Sequence, residues 1–504
     1  MEFVFGDVNM ESLVCMPVAQ AEVEGELPLP EGRRAADTEV LSANGTVTVN
    51  RCAAAENAVV IEGRVRAELV CRDASFVPEE GENAANAVFA FNSSAAFRYV
   101  MEAPGAKEGM TANAQAAVVE LSVAQGGRLA FSSTVELAAV VTCEKPVRTL
   151  SGVRGAQAEF RNETYASQCE TLIGCEETKL REEAAARGVC RVLNACGEIS
   201  VRSIRAGSDT ALADATAYVT ALVENESGSV ETFATQIPVN LEVALDEKPL
   251  GDVAAEVTVL ATELYVLDPG TLCLELSVRA KVFDTCPREA QLPADAYVPG
   301  EALTGTYEEI ALLLRGAPVK TRCQVDEKLA LPEGMPQPAR VVWAAARALA
   351  TNAYCECTTL TAEGIITVRA VYENADCALH AFTAQVPFSC EAPCAAWCCD
   401  ARACAKVLCA GLTISGGSLV FSAALEVALQ PFCAKTVRFV TGFEPCESKK
   451  GHRALILCYA GAEETLFDVG QRFGLSRASI LASNPNAREQ LAEGERLVFI
   501  AKAE

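Results

Sequence analysis

The stretch VTVLATELYVLDPGTLCLELSVRAKVF, residues 257–283, decides the fold class of this chain. After the turn at Pro269-Gly270, apolar side chains recur at every second position from Leu274 to Val282, and polar or charged side chains lie between them. A period of two is typical of a β-strand with one buried face. Two such strands around a Pro-Gly turn predict a β-hairpin.

This hairpin occurs three times in the 504 residues. The other two copies are VELSVAQGGRLAFSSTVELAAV at 119–140 and AKVLCAGLTISGGSLVFSAALEVAL at 405–429. The turn glycines are 143 and 147 residues apart, and a phenylalanine precedes each turn by 36, 37 or 35 residues. Near-constant spacing indicates three copies of one unit. The positions are Gly127, Gly270 and Gly417 for the turns and Phe91, Phe233 and Phe382 upstream.

The rest of each copy also alternates, as in 59–69 and 366–372, so we expect a mainly β protein of tandem β-sandwich-like repeats. We place the repeats at 25–150, 165–288 and 320–442, after an N-terminal segment, 1–24, with a less regular start to the second. Two stretches between them, 175–188 and 306–316, are rich in Glu, Ala and Leu and end in glycine. This pattern predicts short helices.

Composition limits the partners of the chain. Its formal net charge is −25, which disfavours nucleic acid and anionic lipid as partners. Acidic residues interrupt the apolar N-terminus and no Lys or Arg precedes Arg33, so we expect no signal peptide and a cytoplasmic location. The uncharged stretch 407–425 is long enough to cross a membrane, but Gly416-Gly417 at its middle favours a hairpin instead, so we expect no membrane insertion.

The pattern changes in ETLFDVGQRFGLSRASILASNPN, residues 464–486. Leu466, Val469 and Phe473 share one helical face, and Gly474 ends that helix. Ser476 can cap a second helix, which Asn484-Pro485 stops. With strands before and after, residues 451–504 are predicted to form a small α+β module of strand, helix, helix and strand.

No catalytic constellation is visible, and we expect neither enzyme activity nor a cofactor. There are only two histidines; His380 lies in a strand-like stretch and is interpreted as structural. Nucleotide phosphate-loop and dinucleotide-binding motifs are missing from the sequence. The 23 cysteines are spaced poorly for zinc, so we expect reduced packing residues and no metal. Oxidative cross-linking stays open as an alternative.

Three short motifs carry a resemblance to a known family. LPLPEGR at 27–33 and LALPEGMP at 329–336 are similar to the Leu-Pro-Glu-Gly opening of SPOCS domains, and APGAKEGM at 103–110 resembles the link between the halves of that domain. The C-terminal module resembles a LysM domain through Thr465-Leu466 and Asn484-Pro485. SPOCS repeats followed by LysM resemble the SipL family of clostridial spore morphogenetic proteins.

The LysM resemblance implies a binding site of seven residues. In that family, sugar contacts come from a Gly-Asp-Thr-Leu loop and an Asn-Pro loop; here Glu463 replaces the glycine, which removes a position free to take positive φ. Phe467 lies off the buried helical face, so it could be an exposed anchor or pack on the strands. The expected site is Glu463, Glu464, Thr465, Leu466, Phe467, Asn484 and Pro485.

The SipL resemblance implies a non-enzymatic adaptor of spore coat assembly. Its expected place is the mother-cell cytoplasm at the forespore surface, and its expected partner is the coat-basement ATPase SpoIVA, bound through LysM. The alternative is a cell-wall protein whose LysM domain binds peptidoglycan. The sequence leaves the oligomeric state open.

Overall fold

The computed structural model describes residues 2–77, 87–395, 398–446 and 452–503. These residues form strands along almost their whole length, with two short α-helices near the C-terminus. The prediction of a mainly β protein is therefore confirmed.

Seven strands make the first repeat, and they all lie before residue 155. They are β1 (Glu2–Cys15), β2 (Val18–Leu27), β3 (Thr38–Ala55), β4 (Ala58–Asp73), β5 (Val88–Glu102), β6 (Thr111–Gln125) and β7 (Leu129–Arg154).

Six strands make the second repeat. They are β8 (Glu159–Ala185), β9 (Val189–Ala206), β10 (Thr210–Asn225), β11 (Val230–Ala244), β12 (Asp252–Asp268) and β13 (Thr271–Tyr297).

Seven strands again make the third repeat. They are β14 (Leu303–Arg315), β15 (Val319–Leu329), β16 (Pro338–Glu356), β17 (Thr359–Asn374), β18 (Leu379–Pro393), β19 (Asp400–Ser415) and β20 (Ser418–Pro445).

Each repeat contains the same two antiparallel sheets. One is a simple meander, β3-β4-β5 in the first repeat, β9-β10-β11 in the second and β16-β17-β18 in the third. The other is centred on the long last strand, β7, β13 or β20, which pairs with the late hairpin strand on one side and the opening strand or strands on the other. The predicted hairpins around Gly127, Gly270 and Gly417 are confirmed.

The opening strand of the second repeat differs from those of the first and third. In the first and third repeats, the opening strand is divided at Pro17 and at 316–318, whereas β8 runs unbroken for 27 residues. Proline lacks the amide hydrogen that a ladder needs, so it suits such an interruption. The segment 2–24, expected to precede the repeats, lies in β1 and β2 and pairs with β7.

The two predicted helices at 175–188 and 306–316 are wrong. Residues 175–185 belong to β8 and pair with β13, and residues 306–315 belong to β14 and pair with β20. Local preference for helix in Glu, Ala and Leu runs is worth less than about 1 kcal/mol per residue, and a continuous partner strand overrides it.

The predicted apolar faces are confirmed, but the side chains of the opposite faces are less exposed to solvent than expected. Val278 and Ile366 are fully buried, as are their neighbours at every second position. On the opposite face, however, the side chains of Arg66 and Glu68 retain only 18% and 12% exposure. These faces lie between repeats, as when Arg279 of the second repeat donates 3.0 Å to the Val49 carbonyl of the first.

The three repeats share an apolar core where their last strands approach each other. A single residue pair, Ser12 with Leu312, joins the sheets of the first and third repeats through β1 and β14. The adjoining cluster contains buried residues of all three repeats: Met10 and Val147, then Tyr165, Ala290 and Leu292, then Leu312, Val437 and Phe439.

The cysteines divide into two groups. Cys71 and Cys273 are fully buried packing residues, as expected. The expectation of reduced thiols is wrong for four others, because disulfides join Cys323 to Cys390 and Cys399 to Cys433 in the third repeat.

The uncharged stretch 407–425 lies in β19 and β20, joined by a turn at which Ser415 faces Ser418. The predicted hairpin is confirmed. Across the described residues, none of the helices has the length and apolar character to span a bilayer.

Candidate interaction surface of the C-terminal module

The C-terminal module has the predicted order of elements. It consists of β21 (His452–Tyr459), α1 (Leu466–Phe473), α2 (Arg477–Ser483) and β22 (Arg496–Ala503), with β21 and β22 antiparallel. The helices cover one face of this two-stranded sheet. The core between them contains Cys458, Ala460, Leu466, Val469, Ile480, Leu491, Leu497, Phe499 and Ala501.

Local capping fixes both helices; the sequence predicts the roles of Gly474 and Ser476, and the capping box at the start of α1 is found only in the structure. Thr465 and Asp468 form a capping box, in which the Asp468 amide donates to the Thr465 hydroxyl at 3.2 Å and the Thr465 amide donates to Asp468 at 3.0 Å. Gly474 ends α1 in the left-handed conformation, with φ 65°. The Ser476 hydroxyl caps α2 by accepting from the Ser479 amide at 3.1 Å.

The expected effect of replacing the loop glycine by Glu463 is not observed. Glu463 itself takes φ +60°, so the backbone keeps the conformation that glycine would favour. Its side chain is exposed. Glu463 therefore places a carboxylate at the loop surface on a backbone of positive φ.

Glu464, Thr465 and Leu466 face inward. Glu464 accepts from the Gly461 amide at 2.8 Å and pairs with Arg472, and its side chain is only 9% exposed. Thr465 caps α1, and Leu466 is 1% exposed within the core. Their polar groups and surface are used within the module.

Asn484 and Pro485 play different parts. The Asn484 amide group donates to the carbonyls of Ile480 and Val498, both at 2.9 Å, and its carbonyl oxygen accepts from the Val498 amide at 2.9 Å. Asn484 thus caps α2 and ties it to β22. Pro485 is exposed.

Phe467 is buried, with 1% exposure, but by a neighbour that the sequence did not indicate. Its ring meets the ring of Tyr297, at the end of β13, edge to face with centroids 5.0 Å apart. The Arg161 guanidinium lies 5.2 Å from the Phe467 centroid. Aromatic and cation–π contacts of this kind add about 0.5–2 kcal/mol to the burial of the ring. Phe467 is therefore an anchor between the module and the second repeat.

Polar contacts surround this anchor. Arg161 donates to Asp468 at 2.8 Å, and Gln471 donates to Asp295 at 3.1 Å. On the other side, Arg477 donates to Glu159 at 2.7 Å. Polar and charged side chains of α1 and α2 thus pair with complementary side chains at the start of β8 and the end of β13.

Backbone contacts complete the junction. The Tyr297 hydroxyl donates to the Leu475 carbonyl at 2.9 Å, and the Gly300 amide donates to the Gly474 carbonyl at 3.0 Å. Burial raises the pKa of Tyr297, with Glu159 adding to the effect, so the hydroxyl stays a donor at neutral pH. Gly470 lies beside Tyr297, where a Cβ would meet the hydroxyl at 2.1 Å, so only glycine fits there.

The free surface of the module is the other face of its sheet. Leu455, Leu457, Tyr459 and Ile500 are 74%, 53%, 61% and 63% exposed there, and we call these four residues the outer sheet face. Sequence reasoning placed a strand here but missed the surface. The signal was available, because β21 carries apolar residues at consecutive positions, from Leu455 to Tyr459, and only alternate ones can turn inward.

Metal and catalytic candidates remain weak. Within the described ranges, no group of three or more His, Cys, Asp or Glu side chains is arranged to hold a metal ion. The His380 ring packs with its centroid 5.6 Å from that of Tyr372, as a structural residue would. Its Nε2, however, has no hydrogen-bond partner among the described residues.

Comparison with known families finds a match in the first repeat. The family model described as "SipL, SPOCS domain" matches residues 38–125, from the first residue of β3 to the last residue of β6. This segment is therefore similar to a SPOCS domain. The recognition of a SipL-like protein is thereby confirmed for the first repeat, and the match associates the chain with sporulation. No curated protein matches the chain, and no solved structure matches it.

The matched segment comprises the meander sheet and the first strand of the late hairpin in the first repeat. The same strand order recurs in β9–β12 and β16–β19. The long last strands and the opening strands, which build the core shared by the three repeats, lie outside the matched segment.

Proposed function

We propose that this protein is a non-enzymatic adaptor of spore coat assembly that binds a protein partner through the outer sheet face of its C-terminal module. The observation that carries the proposal is the exposure of four large apolar side chains, Leu455, Leu457, Tyr459 and Ile500, on one small sheet. Exposed apolar patches, and tyrosine within them, are typical of surfaces that bind proteins.

The state of the LysM-like loops supports a protein rather than a sugar as the partner. Most of the polar groups expected to bind a ligand, those of Glu464, Thr465 and Asn484, are used inside the module. Leu466 and Phe467 are buried. Glu463 and Pro485 remain at the loop surface.

The SPOCS domain associates the chain with sporulation, so the coat-basement ATPase SpoIVA is the partner to test first. Binding at the forespore surface, from the mother-cell cytoplasm, follows from the same proposal. Peptidoglycan binding is the second candidate. The backbone at Glu463 favours it, because φ +60° is a conformation that glycine, the residue expected in a sugar-binding LysM loop, adopts readily.

The test is a binding assay on the full chain with purified coat-basement ATPase and with peptidoglycan side by side. Leu457→Lys and Ile500→Glu place charge on the outer sheet face and should weaken ATPase binding at least tenfold, that is, by about 1.4 kcal/mol or more. Leu250→Lys is the matched control, since Leu250 is 89% exposed and lies in the second repeat.

Two results would contradict the proposal. Retention on peptidoglycan without ATPase binding would favour the second candidate. If the wild type, Leu457→Lys and Ile500→Glu bind the ATPase equally strongly, the binding site lies outside the outer sheet face.

A further inference from the structure

Cysteine is distributed unevenly among the repeats. The first repeat has four cysteines and the second has six, whereas the third, residues 303–445, has eleven of the 23. Both disulfides also lie in the third repeat. This concentration is not explained by packing, because the three repeats have similar cores of buried Val, Leu, Ile and Ala.

The two disulfides connect separate parts of the third repeat. Cys323 in β15 is bonded to Cys390 in β18, with Cα atoms 6.1 Å apart, and this bond joins the two sheets. Cys399, immediately before β19, is bonded to Cys433 in β20, with Cα atoms 4.9 Å apart. Both Cα separations lie in the usual range for disulfides.

A third pair of sulfurs lies at the other end of the connection that leads from β18 to β19. The Cys394 Sγ is 3.1 Å from the Sγ of Cys355, near the end of β16. Both are free thiols. The Cys394 amide donates to the Thr358 carbonyl at 2.8 Å, which holds its backbone beside the turn between β16 and β17.

We propose that Cys355 and Cys394 are an oxidation site, at which a peroxide converts the two thiols into a third disulfide of the third repeat. The sulfurs already touch, so a shift of about 1 Å brings them to the S–S bond length of about 2.05 Å. Cys399–Cys433 fixes the end of the connection to the second sheet, and Cys355–Cys394 fixes its start to the first.

Two steps convert the two thiols into a disulfide. Burial, together with the hydrogen bond to Cys394, raises the pKa of Cys355 to about 11, so this group stays protonated at neutral pH. The Cys394 sulfur attacks hydrogen peroxide, forming a sulfenic acid and releasing water. The Cys355 sulfur then attacks the sulfenic sulfur and water leaves. Overall, two thiols and one peroxide give one disulfide and two waters.

The consequence is a redox-dependent stability confined to one repeat. The three bonds would join residues 67, 39 and 34 positions apart, and each closed loop restricts the unfolded chain. The described residues of the first and second repeats contain no disulfide. Oxidation should therefore stabilise the third repeat against unfolding and leave the other two unchanged.

The test uses the full chain, reduced, then treated with stepwise hydrogen peroxide and blocked with a thiol-alkylating reagent. Tandem mass spectrometry of non-reduced peptides should find Cys355 bonded to Cys394. Cys357→Ser is the matched control, because Cys357 is exposed, lies two residues away and should not affect the bond. Cys355→Ser should leave Cys394 open to alkylation.

A second readout covers the case in which a variant fails to fold. After oxidation, a protease should cleave the third repeat of the wild type several-fold more slowly than the third repeat of the Cys394→Ser variant. Alkylation of both Cys355 and Cys394 after the other two disulfides have formed would overturn the proposal. A bond from Cys394 to Cys398, which is buried nearby, would also overturn it.

Discussion

The ring of Phe467, in the first helix of the C-terminal module, meets the ring of Tyr297, at the end of the second repeat, edge to face at 5.0 Å. Phe467 is 1% exposed and Tyr297 is 5% exposed. The module is thus fixed to the repeats through one face of α1, and this leaves the outer sheet face as its free apolar surface.

Replacing Phe467 by alanine should detach the module from the second repeat. The change removes the ring contact and the cation–π contact with Arg161, and large-to-small changes at buried phenylalanines cost about 3–5 kcal/mol. Hydrogen exchange should show faster exchange at the Gly300 amide, which bonds Gly474 across the junction. Tyr297→Phe, which loses only the bond to Leu475, should cost about 1 kcal/mol.

Phe467 also lies beside the core of its own module, so the two effects need separation. Arg161→Leu changes only the repeat side of the junction and should speed exchange at Gly300 without unfolding α1. Unchanged exchange in both Phe467→Ala and Arg161→Leu would mean that the junction does not hold the module.

The contribution of Asp468 should depend on pH in the acid range. Burial raises the pKa of this carboxyl, but hydrogen bonds from Thr465 and the charge of Arg161 outweigh burial and hold it below its ordinary value. A lowered pKa stabilises the folded state above the unfolded value of about 3.9, and the stabilisation is lost as the pH falls through the folded pKa.

The measurement is the melting temperature of the wild type and of Asp468→Asn as the pH falls from about 6 to about 3. The wild type should melt higher at the upper end, and the difference should shrink toward the lower end. Asp376→Asn, at an exposed turn, should follow the wild type throughout. A difference that stays constant with pH would show that the charge of Asp468 contributes nothing.

Glu463→Gly should stabilise the module. Left-handed backbone destabilises a residue with a side chain by about 1–2 kcal/mol, and glycine removes this penalty. Glycine also gives the unfolded chain more freedom, which destabilises the folded state by about 0.4–1 kcal/mol. The net increase in the free energy of unfolding, up to about 1.5 kcal/mol, should appear in denaturant unfolding. Ala462→Gly, next to it and without positive φ, should be neutral or destabilising. A loss of stability in Glu463→Gly would contradict the strain at this position.

Asn484→Ala should unfold the C-terminal half of the module more easily. Three hydrogen bonds to Ile480 and Val498 are lost, and unsatisfied buried partners cost about 1–3 kcal/mol. Thermal unfolding followed by hydrogen exchange in α2 and β22 would measure the change. The exposed neighbour Pro485 provides the control, because Pro485→Ala should leave these contacts intact. Equal stability of Asn484→Ala and the wild type would favour a ligand-binding role instead.

Much of the architecture was readable from the sequence because it depends on local and periodic features. Alternation at 274–282 identified strands, and the spacing of Gly127, Gly270 and Gly417 identified the repeats. The spacing of Leu466, Val469 and Phe473, with Gly474 after them, identified α1. In each case the residues that decide the structure lie within a few positions of each other, or recur at a fixed interval.

The sequence failed where a distant strand or another repeat supplied the deciding contact. The stretch 175–185 looks helical alone, but β13 pairs with it along its length. Glu68 looks like a solvent-facing residue, but a neighbouring repeat covers it, and Cys196 of the second repeat donates to it at 3.0 Å. No local pattern records such a contact.

The sequence by itself determined the mainly β class, the threefold repetition and the order of elements in the C-terminal module, because hydrophobic period, turn residues and caps act over short distances. Only the tertiary structure decided that Phe467 packs on Tyr297, that Asn484 is occupied by β22 and that Cys355 lies against Cys394. These are pairings between residues up to 170 positions apart, and they depend on how the sheets stack.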